Sequence, residues 1–122
     1  MENLREQNLS GLWLTCADFE EANLEESNLK GAYLVSAKLT RANLAGADLT
    51  GTVLTNAGLM GADLTGANLS GAYLKEVNLT GANLKDVNIA DAEMEGVWIS
   101  GDDPRLTQEQ WESMGATLVS NP

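Results

Sequence analysis

Large apolar residues recur at every fifth position of this chain. Positions 4, 9, 14 and onward to 99 read Leu, Leu, Leu, Phe, thirteen Leu, Ile, Met, Ile, without an insertion. Two residues before each, from Ala17 on, stands a small or compact residue, mostly Ala, with Ser27, Thr52, Val77, Val87 and Val97 as the exceptions. A period of five fits neither regular element. On an α-helix five residues advance about 500°, so successive leucines fall about 140° apart and make no stripe. On a flat strand an odd period sends them to alternate faces. A backbone that bends once per quintet keeps them all inside, with the central residue and the residue two before it pointing inward and the other three outward.

A second period sets the number of sides. The residue before the central one is Asn or Asp at all ten of positions 3, 23, 43, 63, 83 and 8, 28, 48, 68, 88. At 13, 33, 53, 73 and 93 it is Trp, Tyr, Val, Tyr and Glu, and at 18, 38, 58, 78 and 98 it is Asp, Lys, Gly, Asn and Trp. Sorting by threes destroys this division, whereas sorting by fours reveals it, so four quintets close one layer. Gly11, Gly31, Gly51 and Gly71 then share one corner, where glycine suits a conformation that side chains disfavour. The layers are 2–21, 22–41, 42–61, 62–81 and 82–101, and at the spacing of neighbouring strands five of them make a rod about 24 Å long. Contacts between adjacent layers, such as Leu24 on Leu44 on Leu64, hold a solenoid of this kind together.

The motifs "ANLAGADLTG", "GADLTGANLSG" and "LTGANLKDVN" closely resemble the pentapeptide repeat proteins, and the resemblance covers about 2–101. It implies an all-β fold, a right-handed, four-sided β-helix of about five coils with type II or type IV turns at the corners. Handedness comes from the resemblance alone. The similarity to bacterial, particularly cyanobacterial, members favours a bacterial source.

The expected organisation is a repeat domain over 1–101 and a C-terminal cap over 102–122. Beyond Gly101 the register stops. Thr107 and Gln110 read as a capping box and Gly115 as a helix stop, which predicts a short helix near 108–114 that lies over the last layer with Trp111, Met114 and Leu118 on or just beyond one side. Trp98 falls under or beside this lid. The N-terminal end has no comparable lid, and Glu2 and Gln7 stand at inward positions where later layers use Ala. Two outcomes are expected there, a frayed turn with polar gatekeepers or a homodimer that hides the open end.

Composition narrows the chemistry. With 18 acidic and 7 basic residues, a net charge of −11 and no histidine, the chain is ill suited to bind nucleic acid or phosphate through a basic surface. Its single cysteine, Cys16, makes no internal disulfide and no Cys/His cluster. Asp48 and Asp63 are isolated among asparagines, whereas calcium requires several converging oxygens. No nucleophile is paired with a base, so no catalytic, cofactor or metal residues are expected. Polar residues interrupt every apolar run, which leaves a cytoplasmic location without a membrane partner as the expectation.

Two surfaces are candidates for function. Trp13, Tyr33, Val35, Val53 and Tyr73, with Leu12 beside them, form an outward wall suited to an unidentified protein partner. Asp18, Glu20, Glu21, Glu25 and Glu26 form an acidic patch in the first layers, with Asp86, Asp91, Glu93 and Glu95 in the last. The resemblance implies an alternative role for the acidic surface, because some pentapeptide repeat proteins are similar to a DNA duplex in width and charge and occupy the DNA site of gyrase. Lys38 and Arg41 lie one layer from Asp18 and Glu21 and neutralise part of that charge. A non-catalytic scaffold for protein interaction is the leading expectation, and a DNA-mimicking inhibitor or protector of gyrase or a similar enzyme is the alternative.

Overall fold

The structure, a computed structural model, describes residues 3–100 and 107–119. Isolated parallel bridges join residues twenty apart, from Asn3 with Asn23 to Asn78 with Trp98, and each bridge sits on the residue before a central apolar one. Four quintets therefore make one layer. We number the walls by their central residues: the first carries Leu4 to Leu84, the second Leu9 to Ile89, the third Leu14 to Met94 and the fourth Phe19 to Ile99.

The backbone accounting of one quintet explains the motif. Around Leu64, the N–H groups of Leu64 and Gly66 donate forward to the carbonyls of Asn83 and Lys85, at 2.8 Å each, and Asp63 N–H donates back to Ala42 at 2.9 Å. Ala67 N–H closes the corner by donating to the Leu64 carbonyl at 2.9 Å. Only the N–H of Thr65 finds no backbone acceptor, and the Asp63 side chain accepts it at 3.0 Å. Buried or half-buried amides need partners, so Asn or Asp before the leucine supplies the fifth hydrogen bond that the coil itself lacks. The same bond recurs at all ten Asn/Asp positions of the first and second walls.

Glycine is less special at the corners than the sequence suggests. Every corner from Glu6 to Gly96 holds its third turn residue at positive φ, and ten of these residues are not glycine, among them Cys16, Ser36 and Glu76 at 59–61°. A positive φ at that place marks a type II turn. The fold accepts a cost of about 1 kcal/mol at each non-glycine corner because the ladder bonds on both sides hold it in place.

The interior is a stack of leucines. From Leu24 to Leu74 every central residue is at most 1% exposed, and Ala22, Ala32 and Ala42 fill the file beside them. Two hydroxyls interrupt that file. Thr52 Oγ1 donates to the Leu29 carbonyl at 2.7 Å, whereas Ser27 Oγ is buried with no hydrogen-bond partner. In the first layer Leu4, Leu9 and Leu14 are only half-buried.

At the other end, strand β1 (Trp98–Ser100) pairs in parallel with β2 (Thr117–Val119), so β2 continues the stack of the fourth wall. Helix α1 (Gln108–Ser113) precedes β2, with the Thr107–Gln110 capping box formed and Trp111 buried. Gly115 has φ +88°, and a Cβ there would stand 3.2 Å from Glu95 Cα, so both its conformation and the close approach require glycine. Trp98 lies beside this segment and stays half-exposed. Glu2 and the expected domain boundary at 101–102 lie outside the described residues.

Candidate functional site

The third wall differs from the others in what it leaves open. Trp13, Tyr33, Val53 and Tyr73 form one column joined by successive bridges, with Glu93 at its foot. The Trp13 and Tyr33 rings stack with centroids 4.5 Å apart and an interplanar angle of 16°. Trp13 is 78% exposed, and Tyr33 and Tyr73 are also exposed. Val35 is not in the column. It sits at the corner between the third and fourth walls, where its carbonyl accepts from Cys16 N–H at 2.9 Å. Leu12 belongs to the inward file, not to the outer wall, and is exposed because among the described residues no layer covers it.

No side chain in that column places an acceptor where the Asn or Asp Oδ1 of the other walls stands. The N–H groups of Thr15, Val35, Thr55 and Lys75, which correspond to the Asx-capped amides of the first and second walls, accordingly have no protein acceptor among the described residues. The wall thus couples an apolar column to a row of four outward donors, one per layer and about 4.8 Å apart. Its first three quintets, 11–15, 31–35 and 51–55, carry no charged residue on a chain whose net charge is −11, whereas the fourth ends on Lys75 and the fifth carries Asp91, Glu93 and Glu95.

The acidic residues do not form one patch. Glu20 and Glu21 share the corner between the fourth and first walls, where Arg41 reaches them at 3.1 and 3.3 Å. Glu25 and Glu26 occupy the next corner, across the first wall, and Arg5 bonds Glu25 at 3.2 Å and Glu6 at 2.6 Å. Asp18 lies on the fourth wall opposite Lys38 and caps Glu20 N–H at 3.1 Å. The Glu25 hydrogen bond and the nearby Glu6 charge raise the pKa of Arg5.

Sequence reasoning passed over Met60, which is exposed at the corner after the fourth wall, and it named Trp98 only for its place by the lid, whereas that ring is also half-exposed. Met60 follows Gly58 by two residues, so its N–H also lacks the Asx cap, a signal that was present in the repeat. Among the described residues no cluster of His, Cys, Asp and Glu is arranged to hold a metal ion, and no helix is long and apolar enough to cross a membrane.

Comparison with known proteins agrees with this geometry. The profile of the pentapeptide repeats family matches in eight copies, over residues that include 3–41, 17–56, 32–71 and 62–101. The chain belongs to the pentapeptide repeat family, and membership implies the right-handed sense of its β-helix. Among solved structures it is similar to a pentapeptide repeat protein of the Arabidopsis thaliana thylakoid lumen, with 31% identity over 93% of this chain and 74% of that one and a TM-score of 0.43. A pentapeptide repeat protein from Nostoc Pcc 7120 is 29% identical over 93% and 85% of the two chains, with a TM-score of 0.41. A trypsin-treated variant of QnrB1, a plasmid-mediated fluoroquinolone resistance protein, shares the fold at a TM-score of 0.65 with 19% identity, and the match covers 96% of this chain and 64% of that one. Comparison with curated protein sequences finds no significant match.

Proposed function

We propose that the chain is a non-catalytic scaffold whose third wall docks a protein partner. The observation that carries this reading is the exchange made along one column. Where the first and second walls place Asn or Asp and satisfy the amide two residues on, the third wall places Trp13, Tyr33, Val53 and Tyr73 and leaves four donors pointing outward. Each unmade cap forgoes about 0.5–1.5 kcal/mol, and a partner that covers the rings and supplies carbonyl acceptors recovers it. The first three layers of this wall carry no charge and give such a partner a surface free of the repulsion that surrounds it. The setting is cytoplasmic in this reading, and the segment around α1 closes the last of five coils.

The test replaces the tyrosines by the residue that the other walls use. Tyr33→Asn with Tyr73→Asn restores two caps, so the fold persists, while the apolar column is broken. Proteins retained from a native cell extract by the wild type and lost by this variant support the reading. Identical retention by the two refutes it.

Mimicry of DNA is the second reading, supported by the net charge of −11 and the fold likeness to QnrB1. The Arg41 and Arg5 ion pairs weigh against it, because each offsets one negative charge at its acidic corner. Gyrase supercoiling in the presence of the purified chain separates the two readings. Inhibition or drug protection at about micromolar protein that fades with salt supports mimicry, and no effect retires it.

A further inference from the structure

We propose that the open face of the first layer binds a second copy of this chain about a two-fold axis that passes through the corner at Ser10 and Gly11. This inference rests on the end face and stands apart from the third-wall reading.

The backbone edge is the starting point. In every later layer the residue before the central one turns both its N–H and its carbonyl toward the preceding layer, as Tyr33 does when it donates to Leu12 at 2.9 Å and accepts from Leu14 at 2.7 Å. In the first layer Asn8, Trp13 and Asp18 hold that position, and among the described residues nothing accepts their N–H groups. A residue with both groups turned the same way is half of a hydrogen-bonded antiparallel pair, in which two residues exchange both bonds. A second copy approaching end to end presents the same groups in the opposite chain direction.

The screw of the coil fixes the register. The exposed rungs are Asn3, Asn8, Trp13 and Asp18, and Asn23 is already covered by Asn3. An axis through the third wall would pair Trp13 with itself but force both Asn3 rungs to the same height on the first wall, where they collide. The axis at Ser10 and Gly11 instead pairs Asn3 with the second copy's Asp18 and Asn8 with the second copy's Trp13, using all four rungs of each copy once. Inside, Leu12 faces the second copy's Leu9, and Leu4 faces the second copy's Ala17.

Leu12 supplies the second observation. Every later residue of its file, from Ala17 to Val97, is Ala, Ser, Thr or Val, whereas the first layer places Gln7 and Leu12 there. Leu12 thus gives this face a large apolar side chain in a file that is small in every later layer. Leu12 is 45% exposed, with half-buried Leu4, Leu9 and Leu14 around it. Joining two such ends buries on the order of 1,000 Å² in total, the lower bound of a specific interface. The main-chain ladder adds to that burial, and salt strengthens the pair by screening two chains of like charge. Among the described residues Gln7 is the misfit, since its amide meets the second copy's Leu14.

Disulfide trapping and sedimentation equilibrium on the full chain test the proposal. In S10C with C16S the introduced thiols flank the axis, and mild oxidation gives a covalent dimer at roughly ten times the yield of the wild type, whose Cys16 lies one corner away. Leu12→Glu weakens association at least about tenfold, and Gln7→Ala tightens it by a similar factor because a buried amide without a partner is removed. Circular dichroism confirms that each variant is folded, and the opposite sign of the Gln7 and Leu12 effects separates an interface from general damage. A wild type that stays monomeric up to about 500 µM at 0.5 M salt overturns the proposal, as does oxidation that links wild-type Cys16 as readily as the S10C variant.

Discussion

Replacing Gly58 by asparagine should stabilise the fold, although it adds a polar side chain to a strand. Gly58 stands in the fourth-wall column between Lys38 and Asn78, with ladder bonds from its N–H to Ala37 at 3.0 Å and to its carbonyl from Leu39 at 2.8 Å. Its φ lies outside the left-handed region, and a Cβ would meet only Thr40 Oγ1, at 3.9 Å. The site therefore accepts an L side chain without strain. Gly58→Ala gains about 0.4–1 kcal/mol by reducing the freedom of the unfolded chain. Gly58→Asn gains that and also caps Met60 N–H, in the geometry by which Asn68 accepts from Ser70 at 2.9 Å and Asn78 from Thr80 at 2.9 Å. One such bond contributes about 0.5–1.5 kcal/mol. The total is about 1–2.5 kcal/mol, and for a chain of this length each kcal/mol moves the melting temperature by about 4 °C. Urea denaturation of wild type, Gly58→Ala and Gly58→Asn isolates the cap as the difference between the two variants. An asparagine variant no more stable than the alanine variant refutes the explanation of the Asn/Asp columns.

Three further outcomes follow from the interior and the surface. Ser27→Ala should raise stability by about 1 kcal/mol, because it removes a buried hydroxyl without a partner, and thermal unfolding reports the sign directly. Leu44→Asp should abolish folding, since a wholly buried carboxylate there costs as much as the net stability of a small domain; a cooperative melt in this variant contradicts the stacked core. Hydrogen bonding from Thr50, together with nearby Lys30, lowers the pKa of Asp48 despite its partial burial. A depressed carboxylate stabilises the fold above its unfolded-state pKa, and that contribution is lost as pH falls through the lower folded-state value. The stability of Asp48→Asn, which keeps an acceptor for Thr50 N–H, should decline less steeply than that of the wild type from about pH 5 to 2, and parallel urea titrations would refute this.

Much of the architecture was legible because the two periods are written in different residues. The leucines fix the bend, and the Asn/Asp columns fix the fourfold closure, which the bridges from Asn3 to Trp98 reproduce. The reason for those columns was not legible, since it requires knowing that one amide per quintet lacks a backbone acceptor. Glycine misled in the opposite direction. It marks only some corners, while Glu21, Arg41 and Asp86 adopt the same positive φ under the constraint of the ladder. The column of Trp13, Tyr33, Val53 and Tyr73 could be read from spacing alone, but Val35, one position beyond the central leucine, belongs to a corner. The acidic patch failed as a unit because adjacency in sequence crosses a wall: Glu21 and Glu25 stand at different corners, each with its own arginine.

Amide hydrogen exchange resolved by residue tests the central claim, that the third wall leaves donors free which the first and second walls satisfy. Leu54 and Asn56, bonded to Tyr73 and Lys75, should exchange slowly, and Thr50, capped by Asp48, at an intermediate rate. Thr15, Val35 and Thr55 should exchange almost as fast as an open chain. Protection of those three amides equal to that of Thr50 or Leu54 would contradict the account.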